Sequence, residues 1–404
     1  MTLNKWCIAL FFAGLVPGIY QFFQPLGLGI GPGFEMPAIA RNLVQHGVYG
    51  DAFRSLKTGP TANNPPLYPL FLALCMRLFR KTELATLVIF AGNILVNALV
   101  PALLPRISLV LLGALAPGII GGGLSIATSR LIPPWESNYT QLGLILFCLL
   151  TARLVRSRGY RILTGAAAGI ALGVLFLLSQ VVLLFAIAWI GFLLISQPSR
   201  GRGALRFLTA LAVTAILVNL PWLIRNYGLW GEFVSRTNLG QTLYASNNNC
   251  AEPSLSREML SGCHPATHPE SSAIEAAILQ SIGEPAYDRL KTAQALQWMR
   301  SHPRRFFRLT GARIAEFWFP PVLPPRYSVY MIWAVTILSI PGFVLMFLRR
   351  IPVAFFIGTV FLIFPLLYYV VVSDIRYRVP ILWLSSLSAG YFLSASWQRF
   401  RVNL

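Results

Sequence analysis

The side chains able to do chemistry in this 404-residue chain are few and unevenly placed, with thirteen Asp and Glu against thirty-three Lys and Arg. Five acids are scattered, at Glu35, Asp51, Glu83, Glu136 and Asp374, and the other eight fall between Glu232 and Glu316. Glu35 and Glu136 stand apart because each follows a Gly/Pro-shaped stretch beside a long apolar run, within FEMPAIARN and LIPPWESN. A carboxylate in that setting suits general-base catalysis or metal binding. Each would equally be at home as the acid that favours a helix N-terminus. Arg225 directly follows the apolar run ending in NLPW, and Arg376 and Arg378 sit in the short polar stretch Asp374–Pro380. The planar, permanently charged guanidinium suits phosphate binding; the competing reading is a long side chain snorkelling at a lipid interface. Asp51 and Lys57 share the first polar loop with Glu35. No Walker loop, GxGxxG after a strand, HExxH or GxSxG elbow occurs.

The elements that must hold these groups are membrane helices. Only 11% of the residues are charged and 56% are hydrophobic, whereas a soluble surface needs roughly a quarter of its residues charged. Mean hydropathy is +0.64. The expected class is all-α and polytopic, which excludes soluble enzymes and nucleic-acid-binding modules. The net charge of +20 is then a matter of position. Basic residues cluster without acids at Lys5, Arg106, Arg153–Arg161, Arg200–Arg206, Arg349/Arg350 and Arg399/Arg401, as cytoplasmic loops do under the positive-inside rule. Runs of about 20 apolar residues place spans at 6–26, 84–104, 107–124, 138–152, 162–178, 181–197, 207–224, 328–348, 352–372 and 379–397. That makes about ten transmembrane helices, with both termini inside and no cleavable leader. Pro66–Phe79, at about 14 residues, reads as a helix on the outer surface. The whole chain, 1–404, forms one membrane domain. It carries a first external loop with interfacial helices at 29–80, a second at 125–138, and a large one at 225–326 with helical, basic-aromatic stretches. Cys7, Cys75 and Cys148 sit in apolar runs as packing residues. Cys250 and Cys263 flank a polar stretch of the large outer loop, where an oxidising compartment would allow a disulfide and a reducing one two free thiols. His264 and His268 are spaced too loosely to favour a metal site.

FEMPAIARNLVQHGVYGDAF followed by TGPTANNPPLYPLFLAL resembles the first external loop of bacterial family-39-type glycosyltransferases. These belong to the GT-C fold group, with the protein O-mannosyltransferases and aminoarabinose transferases. PPWESNYTQLGLILF resembles their second acidic motif and NLPWLIRNYGLWGEFV the approach to their large outer loop. ALQWMRSHPRRFFRLTGARIAEFWF resembles its juxtamembrane helices, and DIRYRVPILW the start of a late span. The pieces run in register over most of the chain. The resemblance implies a glycosyltransferase in the bacterial inner membrane that moves a sugar, with inversion, from a polyprenyl-phosphate donor. The acceptor would be a hydroxyl or amine of a glycolipid, polysaccharide or protein at the periplasmic face. Glu35 would be catalytic, and Glu136 and Asp51 would serve the acceptor or a divalent cation. Arg225, with Lys57, Arg376 and Arg378, would bind the donor phosphate. The alternatives are a transporter or flippase for lipid-linked sugars, or a non-catalytic binder of them. A transporter usually carries ionisable groups near mid-membrane and repeated halves, and the expected spans carry neither.

Overall fold

The computed structural model describes residues 2–23, 35–80, 82–129, 135–196, 201–322 and 326–402, and its named elements are all helices. In chain order these are α1 (Leu3–Phe22), α2 (Glu35–His46), α3 (Leu67–Leu78), α4 (Thr82–Leu112), α5 (Ala116–Thr128) and α6 (Glu136–Arg158). Then follow α7 (Ile162–Leu178), α8 (Val182–Ser196) and α9 (Arg202–Trp230). The large segment expected to lie outside, called the outer segment below, folds as α10 (Leu239–Ser246), α11 (Leu255–Ser261), α12 (Cys263–Thr267), α13 (Ala273–Ile282), α14 (Glu284–Ser301) and α15 (Pro303–Trp318). The chain closes with α16 (Arg326–Leu348), α17 (Val353–Ile363), α18 (Leu366–Val370) and α19 (Val379–Val402).

Among the described residues, seven stretches are long and apolar enough to cross a bilayer: α1, α4, α6, α9, α16, the joined α17 and α18, and α19. The protein is a polytopic membrane protein. The expected spans 107–124, 162–178 and 181–197 become α5, α7 and α8, of 13, 17 and 15 residues. At 1.5 Å per residue these reach about 20 to 26 Å, short of the ~30 Å hydrocarbon core, so seven rather than ten helices meet the length. The expected break between 104 and 107 is also absent. Helix α4 runs on through Pro101 and Pro105 to Leu112, and the chain turns at Gly113, whose φ of 67° suits glycine. Packing against α5 supplies the neighbour that lets a membrane helix tolerate prolines: Gly118 lies directly against Leu104 and Pro105. Helix α3 has twelve residues, about 18 Å, too short to cross.

Small residues set the closest helix pairs. Gly165, Gly169 and Gly173, spaced by four, line one face of α7 and lie against Phe207, Leu211 and Val218 of α9 with no room for a Cβ. Such a stripe allows the backbone approach on which membrane helices associate. The main core joins α4, α6, α7, α8, α17 and α19 through Trp189, Phe185, Phe356 and Trp383, all 0 to 1% exposed.

The basic clusters meet at one end. Arg106, inside α4, donates to Asn4 at 3.3 Å, Arg156 to the Val110 carbonyl at 3.0 Å, and Tyr160 to the Leu193 carbonyl while packing on Phe207. These contacts tie the start of α1 and α9 to the ends of α4, α6 and α8. The opposite end carries Glu35, Glu136 and the outer segment.

Candidate functional site

Glu35 opens α2, whose apolar residues Met36, Ile39, Ala40 and Leu43 recur at helical spacing and bury one face. They pack on Tyr68 and Leu72 of α3 and on Tyr287 of α14. The helix stops at Gly47, φ 71°, whose N–H donates to the Leu43 carbonyl at 3.0 Å, the left-handed C-terminal cap that glycine accepts without strain. Packing thus fixes the carboxylate at the rim of α2, where its side chain is 21% exposed.

Glu136 is the first residue of α6, directly after Trp135. Its Oε2 is sealed from solvent and has no hydrogen-bond partner among the described residues. It lies within electrostatic reach of Arg376, Arg236 and Glu35. Arg376 comes from the turn before α19, held by Asp374, whose carboxylate accepts the Arg376 N–H at 2.9 Å. Its guanidinium lies 4.1 Å over the Trp135 ring and donates to the Tyr377 hydroxyl at 3.3 Å. Arg236 donates through Nε to the Asn63 carbonyl at 2.9 Å, and Glu136, Tyr368, Tyr377 and Glu35 surround it electrostatically. Burial pulls its pKa down while those neighbours hold it up.

Two histidines close the cluster from the outer segment. The His268 Nε2 lies 3.8 Å from Glu35 Oε1 and 2.5 Å from the Gln241 amide. Its Nδ1 accepts the Glu270 N–H at 3.1 Å, which fixes the ring so that Nε2 faces both Gln241 and Glu35. His264, one helical turn earlier, stacks on it at 4.5 Å and approaches the fully buried Glu258 at 3.9 Å. Burial, reinforced for His264 by the neighbouring His268 ring and for His268 by the positive charge of Arg376, lowers both pKa values to about 4, so both rings are neutral at pH 7. Burial pushes Glu258 up to about 8. A Cys250–Cys263 disulfide anchors the start of α12, with Cα atoms 5.5 Å apart. Arg54 pairs with Glu270, and Ser55 donates to the Pro269 carbonyl, pinning this segment over the first loop.

The remaining candidates lie elsewhere. Arg225 donates to the Thr61 and Tyr49 carbonyls at 2.7 Å each and is ringed by Tyr49, Trp222 and Trp230. With the buried Glu284, which accepts from Thr61, Ala62 and Thr237, it clamps the first loop as a structural core. Arg378 is 2% exposed, donates to the Trp318 carbonyl at 2.6 Å, and its pKa falls to about 9 through burial. Asp51 adopts φ 52° and its carboxylate accepts the Gly59 N–H at 2.9 Å, holding a turn. Lys57 is exposed, and its carbonyl accepts from Gln280. Of the expected residues, the cluster therefore gathers Glu35, Glu136 and Arg376. It adds Arg236, His264 and His268. No local signal separates Arg236 from the other arginines; the histidines were visible as an i, i+4 pair, which shares a helix face. Residues 24–34, the end of the first expected span and the start of the first expected loop, and 130–134 of the second loop lie outside the described residues.

Among the described residues, no three His, Cys, Asp or Glu side chains converge to hold a metal ion. A divalent cation would find two carboxylates here, Glu35 and Glu136. No known protein family, curated protein or solved structure matches the chain.

Proposed function

We propose that the protein is a membrane glycosyltransferase that moves a sugar from a polyprenyl-phosphate donor to an acceptor hydroxyl or amine at the outer face. One observation carries the reading. Segments as far apart as residues 35 and 376 bring two carboxylates and two guanidinium groups within electrostatic reach of one another, at the end of the bundle opposite the basic clusters. A donor whose isoprenoid tail stays in lipid needs a site at that boundary. Glu35 accepts the acceptor's proton as the acceptor oxygen or nitrogen bonds to the anomeric carbon. The carbon–oxygen bond to phosphate breaks on the opposite face, inverting the centre, and the electron pair leaves with the lipid phosphate. Arg236 and Arg376 stabilise the charge growing there; preorganised donors of this kind contribute factors of about 10² to 10³ each. His268, neutral, lies beside the Glu35 carboxylate without adding a charge to it, and Glu136 serves the acceptor.

Transfer from a purified polyprenyl-phosphate sugar in nanodiscs tests the reading. Glu35→Gln keeps shape but cannot take the proton, so turnover falls by at least the ~100-fold lower bound for a general base while donor binding persists. Near-normal turnover removes Glu35 as the base. Donor movement across the bilayer without transfer points to a transporter.

A further inference from the structure

A cleft lies in the outer segment, sharing no residue with the acid–arginine cluster. It is an open cleft of about 560 Å³ between α10, α12 and α14, within the several-hundred-Å³ range of ligand sites. Its wall is chemically uniform. Five of its ten lining residues are Asn or Gln, three are hydroxyl residues, one is Trp298 and one is half of the disulfide. None carries a formal charge, although the segment around it holds eight acids and many arginines. An anionic or cationic ligand would find no counter-ion on this wall.

Carboxamides present a donor and an acceptor side by side, the pattern that adjacent hydroxyls of a polyol match, and aromatic rings cover its C–H faces. The wall is also built to stay in place. Asn247 is fully buried and tied to the Leu243 and Val370 carbonyls and to Arg313. Asn248 donates to the Tyr244 and Ala245 carbonyls at 2.9 Å. The Trp298 indole N–H donates to Asn249 Oδ1 at 2.8 Å, which fixes the ring and leaves the Asn249 amide nitrogen for a ligand. Gln297 is exposed at the rim, and Tyr244 brings a phenol whose ring is held beneath Lys291 at 4.0 Å.

We infer that this cleft binds a neutral saccharide, through Asn249, Gln294, Gln297 and Tyr244 with Trp298 as the apolar wall. The inference stands independently of the proposed transfer reaction. The test is a glycan array carrying neutral, uronic-acid and phosphorylated oligosaccharides, probed with the fluorescently labelled full-length protein in detergent. Retention is expected on neutral oligosaccharides. It should fall about tenfold in Gln294→Ala/Gln297→Ala, the loss of one or two neutral hydrogen bonds, and stay unchanged in Glu35→Gln. Gln297→Ala alone alters an exposed side chain, so a weaker but measurable loss there guards against misfolding of the double variant. Absence of retention on any neutral glycan, retention confined to charged glycans, or binding indifferent to both variants overturns the inference. A loss of transfer in Glu35→Gln with intact glycan retention separates the two sites.

Discussion

At the scale of single residues, the arginines divide by what already occupies their donors. Arg225 is committed to two backbone carbonyls and an aromatic ring set, near buried Glu284. Arg236 spends only Nε on the protein among the described residues. Arg225→Ala should therefore destabilise the outer segment by about 3 kcal/mol, the scale of a lost charge-assisted hydrogen bond with its partners left unpaired. Arg236→Ala should leave thermal unfolding nearly unchanged and weaken donor binding instead. Paired melting and donor-binding curves in detergent check this, and the reverse pattern refutes the division. A pH dependence belongs to the same residues. His264 and His268 titrate near 4 in the fold against an ordinary 6.5. As pH falls from about 6.5 toward 4 the unfolded chain takes up protons the fold refuses, and stability drops. Glu258, near 8 against 4.5, works from the other side: as pH rises from about 4.5 toward 8 the unfolded chain releases a proton the fold keeps, and stability drops again. Each group contributes a slope of up to about 1.4 kcal/mol per pH unit in its window. Melting temperature should be highest near pH 6.5 and fall on either side, and Glu258→Gln should flatten the fall between about 6.5 and 8 while steepening the one between about 6.5 and 4.5, where the carboxyl opposes the histidines.

At the scale of elements, two devices hold the architecture. The disulfide closes a short loop around α11 and anchors α12, which carries His264. Replacing both cysteines by serine should lower local stability by about 3 kcal/mol, the chain-entropy value for a loop of this size. Faster proteolysis between residues 250 and 272, with unaltered protection of the membrane helices, is the expected readout. The glycine stripe of α7 is the second device. Gly169 faces Leu211 and Thr214 of α9 with no space for a side chain, whereas an added Cβ at Gly191 meets nothing. Gly169→Leu should abolish folded protein in size-exclusion chromatography after detergent extraction; Gly191→Ala should be tolerated. Equal behaviour of the two would mean that α7 and α9 do not depend on close approach.

At the scale of the molecule, the separation of charge runs along the bundle. Arg106, Arg156 and the turn at Tyr160 converge at one end through direct contacts, and the acids of the outer segment lie at the other. Basic residues resist translocation, so the first end should face the cytoplasm. Single cysteines introduced at Ser157 and Ser271 decide it with a membrane-impermeant thiol reagent on intact cells. Labelling at 271 and protection at 157 is expected; the opposite pattern inverts the protein in the membrane.

Membrane embedding, helical class and charge asymmetry were legible in the chain because each follows from local properties: run length, apolar fraction and the sign of charge between runs. Glu35 and Glu136 were legible for the same reason, each being the first residue of a helix beside a Gly/Pro stretch. Helix lengths were less so. Pro105 and Arg106 interrupt the apolar run and read as a loop, and only packing against α5 shows that α4 runs on to Leu112. Which arginine faces the carboxylates was not legible at all. Arg225 and Arg236 sit in one short stretch with similar neighbours, and docking of that stretch onto residues 49–63 turns the first into the structural clamp and the second toward Glu35 and Glu136. The histidines likewise gained a role only when the Arg54–Glu270 pair laid their segment over α2. Such placement depends on contacts between residues 164 to 216 positions apart, and no local pattern encodes them.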